Sequence, residues 1–173
     1  ELSPEPPRRP TPYFAIMAAR VLITMDDLET AVPLNAAAEA AGLTTTMLSS
    51  MDDARAALRR QHPDLVVLTG AVHEPHSVAL AALARDHEIS TLALLEPTDS
   101  ERTERVVRLG VTETMMKPAR SDEILETARR LLERRGLQER TGIIGESAAI
   151  QEVLVKIEQM APVSSTVLIH GES

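Results

Sequence analysis

The chain of 173 residues carries 43% apolar and 25% charged side chains, a composition that suits one ordinary globular domain with a remainder left over. A net charge of −8, with one Tyr and one Phe in the whole chain, speaks against a nucleic-acid surface built on basic stripes or aromatic stacking. No Cys is present, which excludes disulfides and thiolate metal sites; no apolar run approaches the ~18–20 residues of a membrane span, and the opening lacks a signal-peptide pattern, so a cytoplasmic protein with no membrane partner is expected.

Residues 1–16 form a Pro-rich leader: Glu1 to Pro12 hold five prolines and two arginines with almost nothing to bury, which predicts disorder, and Met17 reads as a natural start. Val21-Leu22-Ile23-Thr24 is a first buried strand, ending in Met25-Asp26-Asp27. Leu28 to Ala41 is an Ala-rich helix stopped by Gly42, and Leu43 to Leu48 a Thr-rich second strand. Ser50 and Asp53 have the spacing of a capping box that opens a helix through Arg60.

The run Leu65-Val66-Val67-Leu68 is too short for a helix and does not alternate, so it predicts a mid-sheet strand covered on both faces. It ends at Thr69. A loop with His73 and His76 leads to a third helix over about Pro75 to Asp86, and Thr91 to Leu95 is a fourth strand. Asp99 caps a helix to Leu109 that Gly110 stops. Thr112 to Met116 is a fifth strand, with Met115 and Met116 as core filling. Lys117-Pro118 follows at once, and Ser121 caps a last helix whose Ile124, Leu125, Ala128, Leu131 and Leu132 share one face. Its Arg129, Arg130, Arg134 and Arg135 lie among Glu126 and Glu133 and read as a solvated surface.

Five strands alternating with five helices from Arg20 to Arg135 predict an α/β fold with a doubly wound five-stranded parallel sheet. Ligands and reactive groups gather beyond the carboxyl ends of such strands, which makes Thr69 the position to explain. His73 and His76 are read as a solvated loop, because Glu74 is the one carboxylate that accompanies them.

At Asp26-Asp27, at Pro63-Asp64-Leu65-Val66-Val67-Leu68 and at Lys117-Pro118, the chain resembles the receiver domain of bacterial response regulators over roughly Arg20 to Gly136. The resemblance implies flavodoxin-like strand order and a phosphoryl-transfer pocket: an acidic corner for magnesium, an acceptor aspartate and a lysine that meets the phosphoryl oxygens. Those places fall on Met25-Asp26-Asp27, on Thr69 and on Lys117.

The departures imply a degenerate receiver. Thr69 stands where the acceptor carboxylate belongs, and Met25 where an acidic residue belongs; a neutral alcohol without an adjacent base is a poor nucleophile. The small hydroxyl residue expected after strand four falls on Glu96 and the aromatic switch residue on Thr114. Glu96 is free to approach Lys117 and hold the pocket in one state without phosphate. Asp26, Asp27, Glu96 and Lys117 are thus expected as a polar remnant, with Asp26 and Asp27 the weak candidates for magnesium.

Beyond a linker at 137–141, residues 142–173 resemble the opening of the ATPase domain of sigma-54-dependent activators, from Gly142-Ile143-Ile144-Gly145 to Gly171-Glu172-Ser173, the first residues of a phosphate loop. The loop lysine that would reach the phosphates is absent from this chain, so no ATP binding or enzymatic activity is expected of it. The resemblance implies a regulatory module at residues 17–136 that pairs with itself, through the fourth and fifth helices and fifth strand, or with another regulatory protein. Sigma-54 RNA polymerase and DNA would be met only through regions not in this sequence. Two other readings keep chemistry in the pocket: Asp26 or Asp27 as a displaced acceptor, and Lys117 as a small-anion sensor.

Overall fold

A computed structural model describes residues 19–97, 109–143, 145 and 147–160. Five parallel strands, β1 (Arg20–Thr24), β2 (Thr44–Leu48), β3 (Leu65–Leu68), β4 (Ser90–Leu95) and β5 (Glu113–Met116), form one sheet in the order β2-β1-β3-β4-β5. The described helices are α1 (Leu28–Ala40), α2 (Ala54–Gln61), α3 (Pro75–Asp86), α4 (Ser121–Thr141) and α5 (Ala148–Met160). The chain divides into two compact units, one ending at Glu133 and the other beginning at Arg134.

Strand alternation divides the core. Val21 and Ile23 of β1, Leu65 and Val67 of β3, and Leu92 and Leu94 of β4 point to the side covered by Ala31, Leu34 and Ala38 of α1 and by Ile124, Ala128 and Leu131 of α4. Leu22, Val66, Leu68, Ala93 and Leu95 point the other way, to Ala57 and Leu58 of α2 and Leu80, Ala81 and Ala84 of α3. All four residues of β3 are buried, which is why its sequence shows no alternation. The register Val21↔Leu65, Leu22↔Val66, Ile23↔Val67 aligns the two central strands so that Thr24 and Thr69 end up beside each other.

Local chemistry sets the ends. Asp27 caps α1 through Glu29 and Thr30 amides; at the other end Gly42, with φ of 84°, donates to Glu39 and Leu43 donates to Ala38, the paired closure of a Schellman stop. The α2 start differs from expectation: Asp53 is itself the cap, accepting from the Ala56 amide, while Ser50 lies in a preceding turn. The last helix also differs. It runs through Gly136 to Thr141, so the residues expected as a linker, 137–141, are helical. Met115 packs against the core but Met116 is exposed. The leader, the helix expected over Asp99 to Leu109 (apart from its last residue) and the segment Gly171-Glu172-Ser173 lie outside the described residues.

Pro33 sits inside α1, where it removes the amide that would bond the Glu29 carbonyl and crowds that carbonyl with its ring. Because Pro33 is solvent-facing, Pro33→Ala is expected to raise stability by roughly 1–3 kcal/mol, read as a higher urea midpoint with an unchanged slope.

Candidate functional site

The sheet order reverses between β1 and β3, so the loops after these strands diverge and leave a crevice at the carboxyl edge. Thr24 and Thr69 form its floor. The Thr69 amide donates to Thr24 Oγ1 at 2.9 Å, and the Thr69 hydroxyl donates to the Thr24 carbonyl at 2.7 Å. Both residues are fully buried. The Thr69 hydroxyl has one proton, and that proton is held by the carbonyl of the neighbouring strand.

Above this floor stands a charge network. Lys117 is fixed by its amide, which donates to the Leu95 carbonyl at 2.8 Å, and its ammonium donates to Asp27 Oδ2 at 2.7 Å and Glu96 Oε1 at 2.9 Å. Asp27 is bound on all sides: Oδ1 takes the Glu29 and Thr30 amides of the helix start, and Oδ2 also takes the Thr30 hydroxyl at 2.7 Å. The Lys117 side chain is only 10% exposed. Burial works against both charges, but the hydrogen bonds outweigh it: bonds from Lys117 and Thr30 hold the Asp27 carboxyl below the ordinary aspartate range. Bonds to Asp27 and Glu96 hold the Lys117 ammonium above the ordinary lysine range.

Asp26 faces elsewhere. Its side chain, 13% exposed, places Oδ2 3.1 Å from His76 Nε2 in the first turn of α3, off the hydrogen-bond line. Gly70 makes room for it, since a Cβ there would lie 2.2 Å from Asp26 Cβ. The imidazole's other nitrogen is 3.9 Å from Glu74 Oε2.

Thus Asp27, Glu96 and Lys117 come together, Thr69 lies beneath them with the Asp27 amide 3.4 Å from its hydroxyl, and Asp26 belongs to a separate pair. A magnesium ion takes near-octahedral oxygen ligands and needs open carboxylate valence. Both Asp27 oxygens are spoken for, Asp26 is turned to His76, and among the described residues no three His, Asp or Glu side chains converge as a metal site. This donor set does not fit magnesium.

Nothing in the sequence marks the roles of Thr24 and Thr30. His76, expected in a solvated loop, instead follows Pro75 in the first helical turn beyond β3, at the same sheet edge as Asp26. The signal was topological: the carboxylate partner lies fifty residues back in the chain but one strand away in space. Thr114 of β5 is half-buried, and Met25 is partly exposed at the end of β1.

No family model matches the chain. It is 27% identical over 164 residues to transcriptional regulatory protein ZraR of Salmonella typhimurium, an alignment that takes in 88% of this chain and 37% of that protein. Its fold matches the crystal structure of NtrX from Brucella abortus with a TM-score of 0.64 at 22% identity, covering 86% of this chain and 36% of that one. The receiver domain of the same NtrX matches with a TM-score of 0.57 at 21% identity, covering 65% of this chain and 98% of that domain. The chain is similar in sequence to that transcriptional regulatory protein and has the receiver fold, and it spans about 37% of the length of the curated relative.

The charge network has a definite pH window. A carboxyl held low stabilises the fold above its unfolded value and loses that contribution as pH falls through its folded value; an ammonium held high contributes below its unfolded value and loses it as pH rises through its folded value. The stability gap between the protein and Lys117→Gln is therefore expected to be flat near neutrality and to shrink below about pH 4 and above about pH 10, as urea titrations across pH would record. Separately, Gly70→Ala is expected to cost about 1–3 kcal/mol by displacing the β1–α1 turn, and to shift the His76 imidazole resonances as Asp26 is pushed away.

Proposed function

We propose that this receiver domain is a phosphorylation-independent regulatory module of a cytoplasmic transcription activator of the sigma-54-dependent kind, acting through protein contact and not through turnover of a substrate. The observation that carries this reading is the occupied pocket: Lys117 is neutralised by two carboxylates from its own chain. In phosphoryl transfer the protein supplies a carboxylate nucleophile, a divalent cation and a free positive group to take up developing charge. Here Thr69 offers a buried alcohol whose proton is held by Thr24, and Glu96 supplies the negative partner that a phosphoryl group would otherwise bring.

Such a domain needs neither phosphate nor metal to hold one conformation. Regulation then lies in what it touches: a second copy of itself or another regulatory protein. The expected self-pairing face includes Arg102, Arg105 and Arg108 with Glu101 and Glu104, outside the described residues, and Glu113 and Asp122, which pair with Arg130 and Arg120 of their own chain. The sequence similarity to a transcriptional regulatory protein supports the wider role, with polymerase, DNA and ATP met through the larger part of such a protein.

The two chemical alternatives ask more of the pocket. Asp27 as acceptor would have to give up its four hydrogen bonds, and Asp26 would have to leave His76. An anion at Lys117 would have to displace two carboxylates.

Intact mass spectrometry after incubation with magnesium and acetyl phosphate, with light scattering on the same samples, tests the reading. No mass gain and an oligomeric state indifferent to the phosphodonor are expected. A gain of one phosphoryl group, mapped to Asp26 or Asp27, would overturn it.

A further inference from the structure

We infer that the outward side of α2, with the two aspartates that precede it, is a surface on which a second copy of this chain docks antiparallel, acidic end against basic end. This rests on the reading of the domain as a protein-contact module and assigns it a face and a partner.

The charges of this stretch are segregated by end. Asp52 and Asp53 are exposed where α2 begins, and Arg59 and Arg60 are exposed in its last turn. Ala57 and Leu58 are buried on the sheet side, so Arg55, Ala56, Arg59 and Arg60 lie round the rest of the helix. Elsewhere Arg20, Arg85, Arg120, Arg130 and Arg135 each pair with a carboxylate of their own chain. The three arginines of α2 do not: among the described residues no carboxylate lies within ion-pair distance of them, and the helix itself contains no acid. Arg59 and Arg60 suit the last turn, but Arg55 stands in the first, against the helix dipole, and repels Arg59 one turn on. A carboxylate brought to Arg59 from outside offsets that repulsion.

Charge and direction together select the occupant. Laid antiparallel about Ala56, a second α2 sets its Arg59 and Arg60 beside Asp52 and Asp53, and the two-fold axis repeats the contact at the other end. Ala56, at the axis, carries a single methyl group, which lets the helices close to the short end of the usual separation of about 8–10 Å. Met51 is 93% exposed at the acidic end, held out by a turn in which the Ser49 amide donates to Asp52 Oδ2 at 2.8 Å and the Met51 amide to Ser49 Oγ at 3.2 Å. There it meets the aliphatic stems of the arriving arginines. A wholly acidic helix would bring like charge to Asp52 and Asp53, and a wholly basic one would bring it to the arginines. Nucleic acid is repelled by the net charge of −8. A contact of one short helix is small, so the pairing is weak, transient and sensitive to salt.

The test is a charge exchange on the whole chain, read by sedimentation velocity over a range of protein and salt concentrations. The unaltered chain is expected to self-associate, and salt to weaken the association. One variant, Arg59→Glu with Arg60→Glu, is acidic at both ends of α2. The other, Asp52→Lys with Asp53→Asn, is basic at both and keeps a capping side chain at position 53. Each alone is expected to pair about tenfold or more weakly, and an equal mixture of the two to regain most of the loss. Arg55→Gln, which removes a like-charged pair near the axis, is expected to keep or tighten the pairing. All these positions are exposed, and circular dichroism checks that each variant is folded. If either charge variant is unstable, the chain carrying all four substitutions serves instead, since its reversed ends attract each other and its self-association is expected to return. A monomer at every concentration, unchanged pairing in both charge variants, a mixture no better than its components, or a tenfold loss in Arg55→Gln would each overturn the inference. Repeating the runs with magnesium and acetyl phosphate separates the two readings: an acyl-phosphate adduct with the charge exchange intact would sink the phosphorylation-independent reading and leave this surface standing.

Discussion

One ammonium group joins three connections of the sheet. Lys117 follows β5, Glu96 follows β4, and Asp27 opens the helix that follows β1, so the ion network spans the crevice at the point where the sheet order reverses. The carboxylate that accepts the charge is also the cap of α1, so the network and the helix start are one structure. An ion pair this shielded depends on having every remaining lone pair met, and the Thr30 hydroxyl and two backbone amides do that at Asp27.

The floor beneath follows a different logic. A carboxylate at the end of β3 would set its charge near the Thr24 carbonyl oxygen and would need a cation for company; a threonine at that place instead donates to the carbonyl and receives from the backbone amide of Asp27. A neutral group at this place asks for no cation, and both neighbouring aspartates face other partners. Asp27 becomes a cap and counter-ion, and Asp26 turns over Gly70 toward His76.

Much of the fold was legible because its signals are local and physical. The unalternating run Leu65 to Leu68 told of burial on both faces, and Gly42 and Gly110 marked chain reversals that only positive φ permits. The errors arose where two local choices were close in energy: Ser50 and Asp53 are both good caps, and the tertiary turn that uses Asp52 decided for Asp53. At α4, Gly136 suggested an end, but the surrounding helix formers carry the backbone past it. The site was legible in its members and not in its pairings. Asp26 and Asp27 are adjacent in sequence and were grouped for that reason, yet successive residues leave a strand end in different directions, and one met a lysine ninety residues on while the other met a histidine fifty residues on.

The core described above is wholly aliphatic: leucine, valine, isoleucine and alanine, with Tyr13 and Phe14 both outside the described residues and no tryptophan in the chain. That described core carries no chromophore of the kind by which folding is usually watched. Among the described residues none gives intrinsic fluorescence or near-ultraviolet dichroism, so neither method reads the packing of these aliphatic side chains directly. Methyl resonances are the natural reporters instead, and because the chain has no tryptophan, an introduced indole excited apart from tyrosine reports only from the place where it was put.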